Sequence, residues 1–70
     1  MPVLIVNGKE QIFADKDFPH TVACLIEHLG LEAQTVVAEV DGHIVPQAEF
    51  AAFSLQPGAR VELVRFVGGG

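Results

Sequence analysis

The last three residues, Gly68, Gly69 and Gly70, are the part of this sequence best suited to chemistry. A segment without Cβ atoms adopts extended and positive-φ conformations equally well, so it can pass through a narrow channel in another protein. A terminal carboxylate is a poor acyl donor, but adenylation would activate it, and a sulfur nucleophile could then convert it to a thiocarboxylate. This chemistry requires a free carboxyl group and a folded body that presents it.

Two other interpretations of the glycine run stay open. It could be a frayed terminus without function, or a remnant of an expression vector. Three terminal glycines in a row would arise by chance in roughly one chain in a few thousand at average glycine usage. This low frequency favours the functional interpretation.

The length of the chain favours a small carrier or binding module over a self-contained enzyme. Its 70 residues make one domain. A domain of this size buries only about 60% of its unfolded surface, which leaves little room for a deep pocket beside the core. The single cysteine, Cys24, excludes a disulfide framework, so the apolar half of the residues must supply the core. One free cysteine and no visible signal peptide predict a cytoplasmic protein.

The charge balance is acidic, with nine Asp and Glu residues against four Lys and Arg residues. Nucleic acids and anionic membranes are bound through clustered basic residues, so we expect neither as a partner. A protein partner with a basic docking surface would fit this charge.

The N-terminal part of the sequence predicts a β-hairpin. Residues 2–6 form a continuous apolar run, which is typical of a central strand that is buried on both faces. Asn7 and Gly8 both tolerate the positive φ of a type I′ turn, which is the strongest short hairpin signal. Residues 11–14 are predicted to be the returning strand.

One amphipathic helix follows a polar connection over residues 15–20. Thr21 is a suitable N-cap because its hydroxyl oxygen can accept a hydrogen bond from an unpaired backbone N–H. Four apolar residues then recur at the spacing of one helical face, namely Val22, Leu25, Ile26 and Leu29. Gly30 stands where a helix C-terminus needs a residue with positive φ.

The second half of the sequence predicts three more strands. Residues 36–40 and 43–45 flank a second hairpin turn, and Pro46 ends that ladder because it has no N–H to donate. Residues 48–52 predict one short helical turn, and either Phe50 or Phe53 would close the core beside it. Residues 60–67 are the last predicted strand.

This order of elements predicts an α+β fold. A lone amphipathic helix can bury its apolar stripe only against one face of a sheet. With the first and last strands paired in the centre, the result is a ubiquitin-like β-grasp, a mixed sheet of four to five strands crossed by one helix. We expect residues 1–67 to form this domain and residues 68–70 to form a flexible tail.

Several short stretches at turns, caps and strands carry a family resemblance. They are Leu4-Ile5-Val6-Asn7-Gly8, Thr21-Val22-Ala23, Leu29-Gly30-Leu31, Val37-Ala38-Glu39-Val40-Asp41-Gly42, Ile44-Val45-Pro46 with Glu49-Phe50, and Gly58-Ala59-Arg60-Val61-Glu62-Leu63-Val64 with the terminal glycines. With these motifs the whole chain resembles the ThiS family of sulfur carriers for thiamine biosynthesis. Two departures from the family pattern are visible: Gly68 lengthens the usual glycine pair, and Phe50 stands where relatives often have tryptophan.

The resemblance implies a carrier that is a co-substrate of partner enzymes and has no catalytic residue, metal site or bound cofactor of its own. An E1-like adenylyltransferase of the ThiF type would adenylate Gly70 with ATP and Mg²⁺. Sulfur would come from a cysteine desulfurase pathway, and a thiazole synthase of the ThiG type would receive it. The alternatives are a sulfur carrier for molybdopterin or cysteine biosynthesis, a modifier that forms isopeptide bonds on lysines, and an interaction module with an inert tail.

The last strand also suggests a docking surface. If Val61 and Leu63 face the helix, then Glu62, Val64 and Phe66 face the opposite side of the sheet, beside the tail. Two large apolar side chains on an open face favour partner docking. The alternative is that a loop or the aliphatic parts of neighbouring arginines cover them.

The remaining reactive side chains are predicted to have no function. Cys24 would lie roughly opposite the apolar stripe of the helix, where an exposed cysteine is most simply incidental. His20, His28 and His43 do not have the spacing of a metal site, so we expect them at the surface or in turns.

Overall fold

The structure is a computed structural model that describes residues 1–66. The predicted tail of Gly68, Gly69 and Gly70, the domain boundary after residue 67 and the last residue of the predicted final strand lie outside the described residues. In chain order the elements are β1 (Val3–Val6), β2 (Lys9–Ile12), α1 (Val22–His28), β3 (Val36–Val40), β4 (His43–Val45) and β5 (Arg60–Arg65).

Both predicted hairpin turns are confirmed. Asn7 and Gly8 have φ angles of 51° and 80°, and Asp41 and Gly42 have φ angles of 49° and 86°. Positive φ at both central residues defines the two-residue turn that matches the twist of the flanking strands.

The first turn also corrects the prediction for the returning strand, which begins at Lys9 and ends at Ile12 rather than covering residues 11–14. A two-residue turn brings the next residue directly opposite the last residue of the preceding strand, here Lys9 opposite Val6. Phe13 follows β2 as a buried core residue.

The five strands form one mixed sheet in the order β2-β1-β5-β3-β4. The first and last strands are parallel neighbours near the centre, with Val6 beside Val61, and all other pairs are antiparallel. This arrangement confirms the central pairing on which the fold prediction depended. It also places the segment that leads to the tail in the middle of the sheet.

The helix is bounded by the residues that the sequence predicted. The backbone N–H of Cys24 donates to the hydroxyl oxygen of Thr21 at 3.1 Å, which confirms the N-cap. Gly30, with φ of 73°, follows the C-terminal end. Val22, Leu25 and Ile26 are buried, whereas Leu29 is half-buried at the end of the stripe.

The core lies between the helix and one face of the sheet. Its buried apolar residues come from the helix, from the four strands β1, β3, β4 and β5, and from the long connections, whereas β2 has no buried residue. Phe18, within the connection that the sequence predicted as polar, is buried in this core, while the neighbouring turn Asp15–Asp17 is exposed. The segment between β4 and β5 closes the core with Phe50, and Phe53 is only half-buried.

Three short 3-10 turns complete the described chain, of which Asp15–Asp17 precedes the helix. The predicted turn over residues 48–52 is realised as Gln47–Glu49, followed by an irregular turn. The remaining 3-10 turn, Ala33–Thr35, connects the helix to β3 and was not predicted. Across residues 1–66, the only α-helix has seven residues, too few to cross a bilayer.

Candidate functional site: an exposed apolar surface at the end of β5

Side chains alternate along β5 as the sequence predicted. Val61 and Leu63 are buried in the core that the helix covers. Glu62, Val64 and Phe66 are exposed, and Val64 and Phe66 retain 59% and 46% of their accessible surface. Within residues 1–66, no loop or arginine covers these two apolar side chains enough to bury them, so they are available for contact with a partner.

The neighbouring strands extend this apolar surface. Val37 of β3 lies directly opposite Val64, and Ile44 of β4 lies opposite Glu39. Val37 and Ile44 retain 45% and 72% of their accessible surface. We call Val37, Ile44, Val64 and Phe66 the open-face patch. Large exposed apolar side chains that share one face of a sheet are typical of a protein interaction site.

Two carboxylates stand within the same face. Glu39 of β3 is directly opposite Glu62 of β5, and like charges in this relation destabilise a sheet. On its other side Glu39 is directly opposite Ile44 of β4, so Glu62, Glu39 and Ile44 form one row across three strands. The surface therefore combines apolar contact area with concentrated negative charge, which is complementary to a partner surface that is apolar and basic.

The end of β5 is held in place from the β3 side. Val36 pairs with Arg65, and the backbone N–H of Phe66 donates to the carbonyl oxygen of Thr35 at 2.9 Å. This bond carries the ladder one residue past β5. It fixes the backbone of the last residue that the structure describes.

Asn7 holds the other side of β5. Its side-chain Nδ2 donates to the carbonyl oxygen of Leu63 at 3.2 Å, and its Oδ1 accepts from the N–H of Leu63 at 2.7 Å. These are the two bonds that a backbone residue would make in the same place. The side chain of Asn7 thus supplies the hydrogen bonds to β5 that the backbone of β1 would make if it did not turn away into the hairpin.

The reactive side chains lie away from this surface. Cys24 is exposed on the outer side of the helix, in a groove that His20 and His28 also line. The His28 ring lies 5.3 Å from the Phe13 ring, and the His20 ring lies 5.4 Å from the Phe18 ring. His20 and His28 therefore each pack against a phenylalanine ring.

His43 is exposed in β4, so all three histidines lie at the surface as predicted. Within the described 66 residues, His, Cys, Asp and Glu side chains do not assemble into a group of three that could hold a metal ion. The groove around Cys24 faces away from the open-face patch because the helix covers the other side of the sheet.

The sequence interpretation missed Val37, Ile44 and the role of the Asn7 side chain. The first two had a usable signal: the Asp41-Gly42 turn fixes the register of β3 with β4, and alternation then assigns both residues to the open face. The clamp made by Asn7 had no comparable signal, because it joins residues 56 positions apart.

The geometry defines a class of protein. A five-stranded mixed sheet with parallel first and last strands at its centre, crossed by one helix, is the β-grasp fold of ubiquitin-like proteins. Within that class, this chain belongs to the ThiS family, whose model matches residues 4–70.

Comparison with solved structures agrees with the family. A crystal structure of a thiamine biosynthesis protein (ThiS) from Geobacter metallireducens is similar with a TM-score of 0.80 and 30% identity, covering 97% of this chain and 99% of that one. An NMR solution structure of a thiamine biosynthesis protein from the same species gives a TM-score of 0.78 and 31% identity, covering 100% of this chain and 88% of that one.

A curated relative is much longer than this chain. A protein named thiazole synthase, from Paramagnetospirillum magneticum (strain ATCC 700264 / AMB-1), is 34% identical over 67 residues. The match covers 96% of this chain but only 20% of that protein. The chain thus spans about a fifth of the length of this relative.

Proposed function

We propose that this chain is a sulfur carrier for thiamine synthesis. The carboxyl group of Gly70 is adenylated and then converted to a thiocarboxylate, which supplies sulfur for the thiazole ring. The observation that carries the proposal is the extent of the family match, which runs through the glycines to residue 70. The similarity to proteins of thiamine biosynthesis over nearly the whole chain supports the same pathway.

The chemistry divides between the carrier and its partners. The chain contributes the carboxyl group of Gly70, with Gly68 and Gly69 as a tether that fits a narrow channel. An E1-like adenylyltransferase of the ThiF type supplies ATP and Mg²⁺, and its reaction turns a poor acyl donor into a good one. The outer sulfur of a persulfide formed by a cysteine desulfurase then attacks the acyl carbon, and AMP leaves. A thiol of a partner protein cleaves the resulting acyl disulfide, so that the thiocarboxylate is released and the thiol ends in a disulfide with the sulfur donor.

The open-face patch and Glu62 are the proposed docking surface for these partners. A tail of a few residues needs a nearby contact that holds it in register with the active site it enters. Val64 and Phe66 provide exposed apolar area close to the tail, and the carboxylates on the same face favour a basic partner surface. No catalytic residue of this chain is needed.

The acceptor that we propose is a thiazole synthase of the ThiG type. Its support is the curated relative, a thiazole synthase in which a fifth of the length is similar to this chain. We infer that the two components act together, so that the carrier presents its thiocarboxylate to the synthase.

Reconstitution of sulfur transfer tests the proposal. With the activating enzyme, a desulfurase, ATP, Mg²⁺, thiazole synthase and the carbon and nitrogen substrates of the synthase, we expect thiazole formation with the wild-type chain and none with a chain that lacks Gly70. The circular dichroism spectra of the two chains should agree, because residues 1–66 contain the whole described sheet and helix. Thiazole formation at equal rates with both chains would contradict the proposal.

Transfer to another acceptor separates the alternatives. Sulfur delivery only to a molybdopterin precursor, or only to a cysteine precursor, would assign the chain to that pathway instead. Failure to deliver sulfur to any of the three acceptors would support an interaction module with an inert tail.

A further inference from the structure

Backbone polar groups along β5 point alternately to its two neighbouring strands. The N–H of Phe66 donates to Thr35, beside β3, so even-numbered positions face β3. The carbonyl oxygen of Val61 accepts from the N–H of Asn7 at 2.9 Å, so odd-numbered positions face β1. By this alternation the N–H and C=O of Arg65 point to the β1 side.

On the side of β5 that faces β1, backbone N–H and C=O groups have partners only as far as Leu63. The last paired residue of β1 is Val6, beside Val61, and the side chain of Asn7 then satisfies both backbone groups of Leu63. Past that point the chain of β1 has turned away into the hairpin. Among residues 1–66, none pairs with the backbone groups of Arg65 on this side.

The backbone of Arg65 lacks the protection from strand pairing that the two outer edges of the sheet have. At one edge β2 carries Lys9 and Glu10, and at the other β4 has three residues and is followed by Pro46. Charges, short strands and proline are the devices by which proteins keep sheet edges from pairing. Arg65 has a charged side chain, but side chains in a strand project out of the sheet plane and leave its in-plane N–H and C=O uncovered.

We propose that the backbone of Arg65 pairs with an extended segment of the thiazole synthase, which takes the place that β1 leaves beyond Asn7. An extended backbone is the occupant that matches an in-plane N–H and C=O, as in other cases of strand addition. The exposed side chains of Val64 and Phe66 flank this edge and would contact side chains of the added segment. The inference rests on the proposed function, because it assumes that the synthase receives the tail.

Two substitutions at Arg65 separate backbone pairing from side-chain contact. Arg65→Ala removes the guanidinium and keeps the N–H, whereas Arg65→Pro removes both. The ladder with β3 does not use this N–H, so proline is compatible with the sheet in the way that it is at edge positions. We expect the affinity of Arg65→Pro for the thiazole synthase to be about tenfold lower than that of Arg65→Ala, measured by calorimetric titration.

A measurement on the unaltered chain keeps the test independent of the proline variant. We expect exchange of the Arg65 amide hydrogen to slow about tenfold or more when the synthase is bound, since the amide becomes hydrogen-bonded. Equal affinities of the two variants, or unchanged exchange at Arg65 in the wild-type complex, would overturn the pairing while the carrier function stands. A wild-type chain that does not bind the synthase at all would overturn both.

Discussion

Asn7 serves the fold in two ways, as a turn residue and as a clamp on β5. Its positive φ suits the hairpin, and its side chain makes two hydrogen bonds with the backbone of Leu63. Asp41 occupies the same position in the second hairpin, but its side chain makes one exposed bond, accepting from the N–H of Arg60 at 2.9 Å. The two turns therefore form a matched pair for measuring the clamp.

We expect Asn7→Gly to lower the free energy of unfolding by about 1–2 kcal/mol, and Asp41→Gly by about half as much. Glycine keeps the positive φ of each turn, so the difference reports the side-chain bonds. Urea denaturation with a common m-value measures both. Equal losses, or a larger loss for Asp41→Gly, would show that the clamp contributes little.

The sequence predicted the turns and helix caps, which depend on neighbouring residues, but not the hydrogen bonds between residues far apart in the chain. Turn chemistry and capping at Asn7, Thr21 and Gly30 depend on neighbouring residues, and the structure confirms all three. The bond from Asn7 to Leu63 depends on the parallel pairing of β1 with β5, which hydrophobic periodicity cannot specify. A polar side chain in a turn carries no sign of a partner so far along the chain.

At the scale of the elements, β5 connects the fold to the proposed function. Its odd positions Val61 and Leu63 anchor it in the core, and its even positions carry the proposed docking surface. The predicted alternation was right because one face of a sheet is buried, and a shift by one residue would bury Glu62 and expose Leu63. The start of β2 was predicted two residues late, because the prediction left a gap after the turn where the ladder in fact begins at once.

The facing pair of Glu39 and Glu62 allows a test of this docking surface at the element scale. Glu62→Lys replaces repulsion across the strands by attraction, so we expect the unfolding free energy to rise by about 0.5 kcal/mol at low salt. The gain should shrink in 1 M salt, where the screening length falls to about 3 Å. Glu10→Lys is the control, since Glu10 faces Ile5 rather than an acid.

The same substitution should weaken binding to the activating enzyme, because it reverses a charge on the proposed contact surface. A gain in stability together with a loss of affinity would indicate that the carboxylate pair is kept for recognition. Glu62→Lys that is less stable than wild type at low salt would contradict the assignment of these side chains to one row of the open face.

At the scale of the whole molecule, the folded body holds the core on one side of the sheet and offers a contact surface on the other. We expect Val64→Asp and Phe66→Asp each to lower affinity for the activating enzyme by about tenfold or more, since each places a charge in an apolar contact. Both side chains are exposed, so the thermal unfolding temperature should change by only a few degrees.

Ile12→Asp is the matched control for these two variants. Ile12 is an exposed apolar residue on the outer strand β2, away from the end of β5. Its substitution should leave the affinity unchanged. Unchanged calorimetric titrations for Val64→Asp and Phe66→Asp, or an equal loss for Ile12→Asp, would show that partners dock elsewhere.

The arrangement of helix and strands could be predicted from the sequence more fully than the residues that make up the open-face patch. The order of elements and the single helix follow from hydrophobic periodicity and turn residues, and the structure confirms them. The central pairing of β1 with β5 was a condition of the fold prediction that periodicity does not supply, and the sheet of five strands confirms it. The open-face patch was predicted only in β5. The Asp41-Gly42 turn and alternation suffice to assign Val37 and Ile44 to the open face, but the position of Val37 directly opposite Val64 depends on the register of β3 with β5. Side-chain roles at a site require tertiary register, which a single sequence specifies weakly.

The central claim is that the reacting group is the carboxyl group of Gly70. The direct measurement is the intact mass of the chain after incubation with the activating enzyme, ATP, Mg²⁺ and a sulfur donor. We predict a gain of about 16 Da, the replacement of one oxygen by sulfur at the acyl carbon. The same chain prepared with a C-terminal amide should show no gain. An unchanged mass for the free acid, a gain in the amide, or adducts linked through lysine would each contradict the account.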